Sequence, residues 1–483
     1  MGDFTDDEIR PLVQERGAVA ATDKEEQEPR ALSFVSDQDA LMFVNWTSTL
    51  LFGGIVFGWA SIQMLLEQDQ VLNAQCGDTE EACVDQIADY SAIFTVITTG
   101  HIVMGAINGM LVDNYGPMKV AATGGLLLSA GAFTVAAANP NSFAALMTGF
   151  SMHAAGSSMV FMTAWCGNFA VREDRIGSYL TTNSALFDTS ALVPLIMYGA
   201  AQLLSVGYAA VWFAYGCVSA LVVSVSVFYW GRLGAVLEQR QAAARQAAAR
   251  ETAQKATLVS TDLVGAKKDY TAMHSLSLGK MLRSPQFVLL GMLMSIHIMR
   301  MNFYTGGLRD MILTMTADEG QQEFYTTMYS LLFPCGFLFI PPVVYVIDNY
   351  DFVTCFDLVT LGSLVWGGAI CVDSLPLQLP AFLLFAAVRA LFYSSIGVCT
   401  AHTFGPLHGS TMFGMLGLMA SLLNLCVYPL SVVAEEGSWT TVNLLMLLTL
   451  VPVFLARFPL RATLDEFHGG QHTPRKTSSK DIM

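Results

Sequence analysis

The sequence predicts an all-α polytopic membrane protein: twelve transmembrane helices in two pseudo-symmetric six-helix halves. Three observations carry that reading. Of the 483 residues, 53% are hydrophobic and only 13% charged, where soluble domains carry about 25% charged residues; mean hydropathy is +0.50. Apolar segments recur at about 41–65, 89–112, 117–138, 142–170, 178–204, 208–230, 286–313, 324–347, 352–373, 378–401, 409–433 and 439–460. Each is long enough to cross a hydrocarbon layer about 30 Å thick. Finally, the chain repeats itself. Leu-Val-Asp-Asn-Tyr at 111–115 returns as Val-Ile-Asp-Asn-Tyr at 346–350, and Asp188 with Asn424, Pro194 with Pro429 and Ser157-Ser158 with Ser394-Ser395 fall at offsets of 235–237.

Residues 1–40 are polar and acidic, without an apolar core of signal-peptide length, so they read as a disordered tail and the first apolar segment as a retained span. The N-terminal half then covers 41–230 and the C-terminal half 286–460. The fourth and fifth spans have soft edges, because glycine and polar residues interrupt them. Between the halves, 231–285 is a linker whose Ala-, Gln- and Arg-rich stretch 238–250 favours a surface helix. The polar tail 461–483 closes the chain.

Basic residues set the orientation. Lys119, Arg172 and Arg175 follow the second and fourth spans, nine more lie between Arg232 and Arg283, and Arg457, Arg461, Arg475, Lys476 and Lys480 end the chain. The alternate loops carry none apart from Arg309, so both termini are expected on the cytoplasmic side. Nucleic acid is not an expected partner of a chain with net charge −15 held outside its apolar segments. Of nine cysteines, Cys76 and Cys83 alone share a polar loop and are placed to pair if that loop is extracellular.

Ionisable residues inside spans are few: His101, His153, Asp188, His297, Arg300 and Arg389. Arg300 lies roughly 20 Å along its helix at about 1.5 Å per residue, near mid-membrane. A guanidinium there costs about 2.5–3.5 kcal/mol on insertion scales, so it should face protein or water. His297, Arg300, Tyr304 and Gly307 share a face, as do Thr181, Ser184 and Asp188 on the fifth span, Arg389, Tyr393 and Gly397 on the tenth, and Gly417, Ser421, Asn424 and Tyr428 on the eleventh. A zwitterion needs anion donors and a cation acceptor. Arg300 or Arg389 supplies the first, and Asp188 or Asn424 the second. The alternative is an internal Asp188–arginine pair that stabilises the bundle.

Gly54 with Gly58, and Gly105 with Gly109, are spaced for close helix approach, and Gly58 also offers backbone carbonyls to a solute. Gly109, Asp113, Gly116 and Lys119 form a Gly-x-x-x-Asp-x-x-Gly-x-x-Lys junction between the second and third spans, suited to a gate latch; its second copy, at Asp348, lacks the glycine and the base. The three histidines lie on separate spans without a metal-ligand spacing. No phosphate-binding loop, nucleophile elbow or metalloprotease helix supports a cofactor or an enzymatic role.

Paired six-span repeats are the architecture of major facilitator transporters. Within them the chain resembles the system L-type large neutral amino acid facilitators (the solute carrier 43 group) and the apicomplexan amino acid transporters. Residues 51–61, 109–116, 300–311 and 388–395 running into 402–410 carry the likeness. The resemblance implies sodium-independent passage of amino acids by alternating access, without cofactors, in a functional monomer surrounded by lipid, with sites around Gly58-Trp59, Arg300–Tyr304 and Arg389–Tyr393. Asp188 departs from the neutral branch, so cationic or proton-coupled transport is the alternative; a nutrient receptor that binds without transport is a reading of another class, and an intramembrane metalloenzyme on the histidines a third. The plasma membrane is the expected location, and Glu8-Ile-Arg-Pro-Leu-Val loosely matches an endolysosomal sorting signal.

Overall fold

The computed structural model describes residues 37–76, 83–169, 176–259, 276 and 278–465. The expected tails, the loop bearing Arg172 and Arg175, and the side chains of Thr181, Asp113 and Asp348 lie outside the described residues. The bundle helices are α1 (Asp37–Gln68), α2 (Val84–Val112), α3 (Pro117–Ala137), α4 (Phe143–Trp165), α5 (Thr182–Leu204), α6 (Tyr208–Leu233), α7 (Pro285–Met315), α8 (Glu319–Ile347), α9 (Phe352–Ile370), α10 (Leu375–Thr400), α11 (Thr411–Glu436) and α12 (Trp439–Thr463). All but α4 are long and apolar enough to cross a membrane. Helix α4 is diluted by Gly149, His153, Gly156 and its serines, yet it lies inside the bundle: a Cβ on Gly156 would meet Leu128 N at 2.2 Å, and one on Gly131 of α3 would meet His153 N at 2.4 Å. Its polarity is absorbed locally, with His153 Nδ1 at 3.1 Å from Leu128 O and its ring edge-on to Trp212.

Helix starts follow the capping rules: Ser284 precedes Pro285 and accepts from Phe287 N, while Ser142, Asp318, Asp351 and Ser438 cap α4, α8, α9 and α12 in the same way. Gly116 ends the second helix at φ +80°, as the turn to α3 requires. Two helices depart from the sequence reading. The sixth runs unbroken from Tyr208 to Val259, so the stretch 238–250 continues a span instead of forming a separate surface helix. The backbone between α10 and α11 stays helical while the chain doubles back. Tyr304, His297 and Phe287 of α7 meet Phe385, Phe392 and Phe404 in turn, and Gly291 and Asn302 then meet Met419 and Asn424 on the way back.

The repeat visible in the sequence becomes a pair of helix breaks. A proline cannot donate to the carbonyl four residues back and its ring clashes with that carbonyl. Pro194 therefore breaks α5 at the 3₁₀ turn Ser190–Leu192, and Pro429 breaks α11 beyond Asn424, before the helix resumes at Val427. Pro334, Pro341 and Pro342 similarly force the 3₁₀ stretch Phe333–Phe339 in α8. Helix α1 breaks without proline, through the π-turn Thr49–Gly53 and the 3₁₀ turn Ile55–Gly58. Its freed backbone groups find side chains on three helices. Ser157 donates to Phe52 O at 2.6 Å, Ser190 accepts from Gly54 N at 2.6 Å, and Tyr215 donates to Leu51 O at 2.9 Å.

Gly54 and Gly58 pack as their spacing predicts. Added Cβ atoms would lie 2.5 Å from Phe187 O and Ala191 O respectively. Gly105 and Gly109 do not, because nothing lies within 4 Å of a Cβ at either; α2 turns Ala106 and Ile102, not this face, toward Gly414 and Gly417 of α11. Cys76 and Cys83 form a disulfide, which marks the end of the bundle opposite the start of α1. Gly156→Val should destabilise the fold by about 1–3 kcal/mol or more, read as a lower unfolding midpoint in detergent, while Gly105→Ala leaves the midpoint unchanged or slightly raised.

Candidate functional site at the seam between the halves

The broken segments of α1, α5 and α8 converge with α10 midway through the bundle, where the two halves meet. Asp188 lies on the last turn before the break in α5, and Arg389 on α10 reaches it: Nε and Nη2 donate to Oδ1 at 3.3 and 3.2 Å. The Arg389 side chain is 3% exposed and that of Asp188 20%. Three rings enclose the guanidinium, with Cζ at 4.8 Å from the centroid of Phe57, 5.0 Å from Phe333 and 4.8 Å from Tyr393. Phe57 belongs to the broken part of α1 and Phe333 to that of α8, so the helix breaks supply both the acid's setting and two walls of the cage. Each ring face attracts the cation by about 0.5–2 kcal/mol where water is excluded. Nη1 of Arg389 keeps no hydrogen-bond partner among the described residues, a donor left over for a ligand. One turn before Asp188, on the side where α5 begins, Ser184 is exposed on the same helical face.

Above and beside this pair, other polar bonds join the halves. Asn424 is fully buried; its amide donates to Thr98 and Thr99 of α2 at 3.3 and 2.8 Å and its oxygen accepts from Asn302 of α7 at 2.8 Å. Toward the disulfide end, Ser61 meets Ser330 at 2.8 Å and Tyr198 donates to Glu323 at 2.9 Å. There Gln63 and Glu67 of α1 engage Asp310 and Arg309 of α7. Gln63 Nε2 donates to Asp310 Oδ1 at 2.6 Å and to Glu67 Oε1 at 2.9 Å, and Arg309 Nε donates to Glu67 Oε2 at 2.6 Å. Asp310 is 1% exposed. These polar bonds between the halves lie at the Asp188–Arg389 level or on its disulfide side.

The sequence offers Asp188, Arg389, Tyr393 and Ser184 as site residues; the structure brings the first three together, and Ser184 lies one turn from Asp188 on α5. Asn424 sits at the seam with its bonds taken by protein. Arg300 and Tyr304, expected from the sequence in the same hollow, are not there. Their face of α7 turns into the C-terminal half, where Arg300 Nη2 donates to Ser363 O of α9 at 3.2 Å and Tyr304 packs on Trp366 and Phe385. The seam face of α7 is instead that of Asn302, Gly306 and Asp310, where a Cβ on Gly306 would lie 2.3 Å from Phe94 of α2. Gly58 is pressed on Ala191 and Pro194, and Trp59 is fully buried between Phe94 and Phe150, so both serve helix contacts in this conformation. Of the latch residues, Gly116 makes its turn and Lys119 is exposed. Gln63, Glu67, Arg309 and Asp310 carry no sequence signal as a gate; Arg309 and Glu67 are 242 residues apart, and nothing in either local sequence names the partner.

No family model matches the chain. Among curated proteins, Arginine transporter 1 of Toxoplasma gondii is similar: 23% identical over 201 residues, covering 39% of this chain and 37% of the relative. The match thus spans little more than a third of that protein. Among solved structures, a peptide transporter POT in complex with sulfate superposes with a TM-score of 0.64 at 13% identity, covering 89% of this chain and 96% of its own. A POT family transporter in complex with 5-aminolevulinic acid gives 0.61 at 12%, covering 89% and 96%. At such identities the likeness establishes architecture: the chain is an all-helical polytopic membrane protein with the major-facilitator-type fold of the POT transporters.

Proposed function

We propose that this chain is an amino acid transporter working by alternating access, with the Asp188–Arg389 pair as its substrate site. The pair itself supports this most directly. It is a carboxylate and a guanidinium from opposite halves, caged by aromatic rings, with Asp188 partly exposed. An amino acid carries the complementary groups. Its carboxylate takes the Arg389 fork, including Nη1, and its ammonium takes Asp188, so the substrate replaces the internal bond contact for contact with no net change of charge. Phe57, Phe333 and Tyr393 then offer an apolar bed to a large side chain, which favours large neutral substrates. Ser184 and Tyr393 add hydroxyls within the same hollow, and Asn424 holds α2, α7 and α11 together beside it.

A second reading keeps the site and changes the substrate. The similarity to an arginine transporter and the carboxylate of Asp188 favour cationic amino acids, whose side chain would compete with the ammonium for that acid. In either case the Glu67–Arg309 and Gln63–Asp310 bonds act as the gate on the disulfide side, closed in this conformation, and the latch of Gly109, Asp113, Gly116, Lys119 and Asp348 is assigned to the opposite end. The binding steps need no cofactor, and replacing sodium by choline should leave uptake unchanged.

Counterflow of labelled leucine and arginine in proteoliposomes is the deciding assay; binding without exchange would make the chain a receptor and overturn the transport reading. Losing a charge-assisted hydrogen bond at the site, about 1.5–3 kcal/mol, means Asp188→Asn or Arg389→Gln should lower kcat/KM roughly 10- to 100-fold. If Asp188→Asn spares leucine but abolishes arginine, the cationic reading gains; an unchanged profile for both removes Asp188 from the mechanism. For the gate, Glu67→Arg and Arg309→Glu should each impair counterflow, and the double exchange should recover a measurable part of it.

A further inference from the structure

Inside the C-terminal half, behind the aromatic layer of Tyr329, Phe333 and Phe385, lies a second guanidinium that the transport site does not use. Arg300 is 3% exposed near the middle of α7. One of its nitrogens, Nη2, donates to the Ser363 carbonyl at 3.2 Å, and its Cζ lies 5.4 Å from the Trp366 ring. Its Nε and Nη1 have no hydrogen-bond partner among the described residues. No carboxylate among the described residues is paired with it; the titratable groups that face it are His297 and Cys371. The neighbouring polar atoms are short of acceptors too. Tyr304 Oη, Trp366 Nε1 and His297 Nε2 make no well-formed hydrogen bond, while His297 Nδ1 approaches Ser363 Oγ at 3.5 Å.

The helix face that carries His297, Arg300 and Tyr304 therefore meets α9 in a cluster rich in N–H and O–H donors, holding one fixed positive charge and a single carbonyl acceptor. Space has been left for the guanidinium, since a Cβ on Gly367 would lie 2.8 Å from Nη2. Water could accept these hydrogen bonds, but it could not neutralise the charge, and a buried charge without a counter-ion is strongly disfavoured. We infer that Arg300, with His297, Tyr304 and Trp366, forms an enclosed site for one monovalent anion, either a halide or the carboxylate of an amino acid. The site is separate from the Asp188–Arg389 pair and stands whether or not that pair binds substrate.

The test uses the purified full-length chain in detergent, with sodium gluconate as the reference electrolyte. Radioactive chloride binding and the thermal unfolding midpoint are followed as chloride replaces gluconate at constant ionic strength. Saturable binding of about one chloride per chain, with a raised midpoint, is expected in the wild type and in Asp188→Asn, is lost in Arg300→Gln, and is weakened in Trp366→Phe. A parallel arm adds leucine or arginine and, separately, their carboxamides. If the amino acids raise the midpoint, the carboxamides and chloride do not, and the effect requires Arg300 but not Asp188, the anion is the substrate's carboxylate and the site stands. Should Arg300→Gln fail to fold, Trp366→Phe together with Gly367→Ala, which crowds the guanidinium, must weaken anion binding in its place. The inference is overturned if chloride binding is absent from the wild type and no part of the amino acid response depends on Arg300, or if chloride binding survives Arg300→Gln.

Discussion

A guanidinium removed from water needs compensation, and the way Arg389 obtains it governs the middle of this molecule. Its acid comes from the other half, and its aromatic walls from α1, α8 and α10. The acid and the Phe57 wall are in place only while the two halves are together at that level. Removing one partner of a buried pair costs about 3–5 kcal/mol, whereas the intact pair contributes little beyond its own desolvation. Such a bond is well suited to a moving joint. It fixes how the halves meet, yet a ligand that supplies equivalent charges can replace it without a large change in energy.

The helix breaks follow from the same need for satisfied polar groups. In a bilayer, backbone freed from helical hydrogen bonding is tolerated only where protein or an internal water-filled space receives it. Ser157, Ser190 and Tyr215 perform that task for α1, which explains why polar residues interrupt α4 and α5, the spans whose edges look soft in the sequence. The prolines of α5, α8 and α11 place comparable breaks in the helices that line the seam. They bring Asp188 and Phe333 to one depth and set Asn424 at the matching turn of the other half.

Much of this is legible in the residues. Twelve apolar segments and an offset of 235–237 contain the span count, the duplication and, through Pro194 and Pro429, the positions of two breaks. Helical periodicity also identifies the faces bearing Asp188, Arg389 and Arg300. Periodicity groups residues on a face, however, and is silent about which neighbour that face meets. The Arg300 face therefore looks as suited to the central hollow as the Arg389 face, and only the tertiary arrangement turns it toward Ser363 and Trp366. The same limit applies to the glycine pairs: equal spacing at 54 and 58 and at 105 and 109 produces one packed face and one empty one. Pairings such as Glu67 with Arg309 depend on two distant helices crossing at one height, which no local pattern encodes.

The distribution of polar bonds across the seam gives the bundle a direction. On the disulfide side the halves are joined by Glu67–Arg309, Gln63–Asp310, Tyr198–Glu323 and Ser61–Ser330. Below the Asp188–Arg389 level, Ala106 and Ile102 of α2 lie against Gly414 and Gly417 of α11, and a methyl group added at Gly105 or Gly109 would find no neighbour within 4 Å. Polar bonds of this kind exchange readily for water once the halves part, and a glycine face with nothing against it can accept a helix at close range. A rocking motion that opens the first set and closes the second would therefore trade hydrated gate residues for small-residue packing. In such a motion the central pair, which joins the halves between the two ends, would serve as the pivot for both.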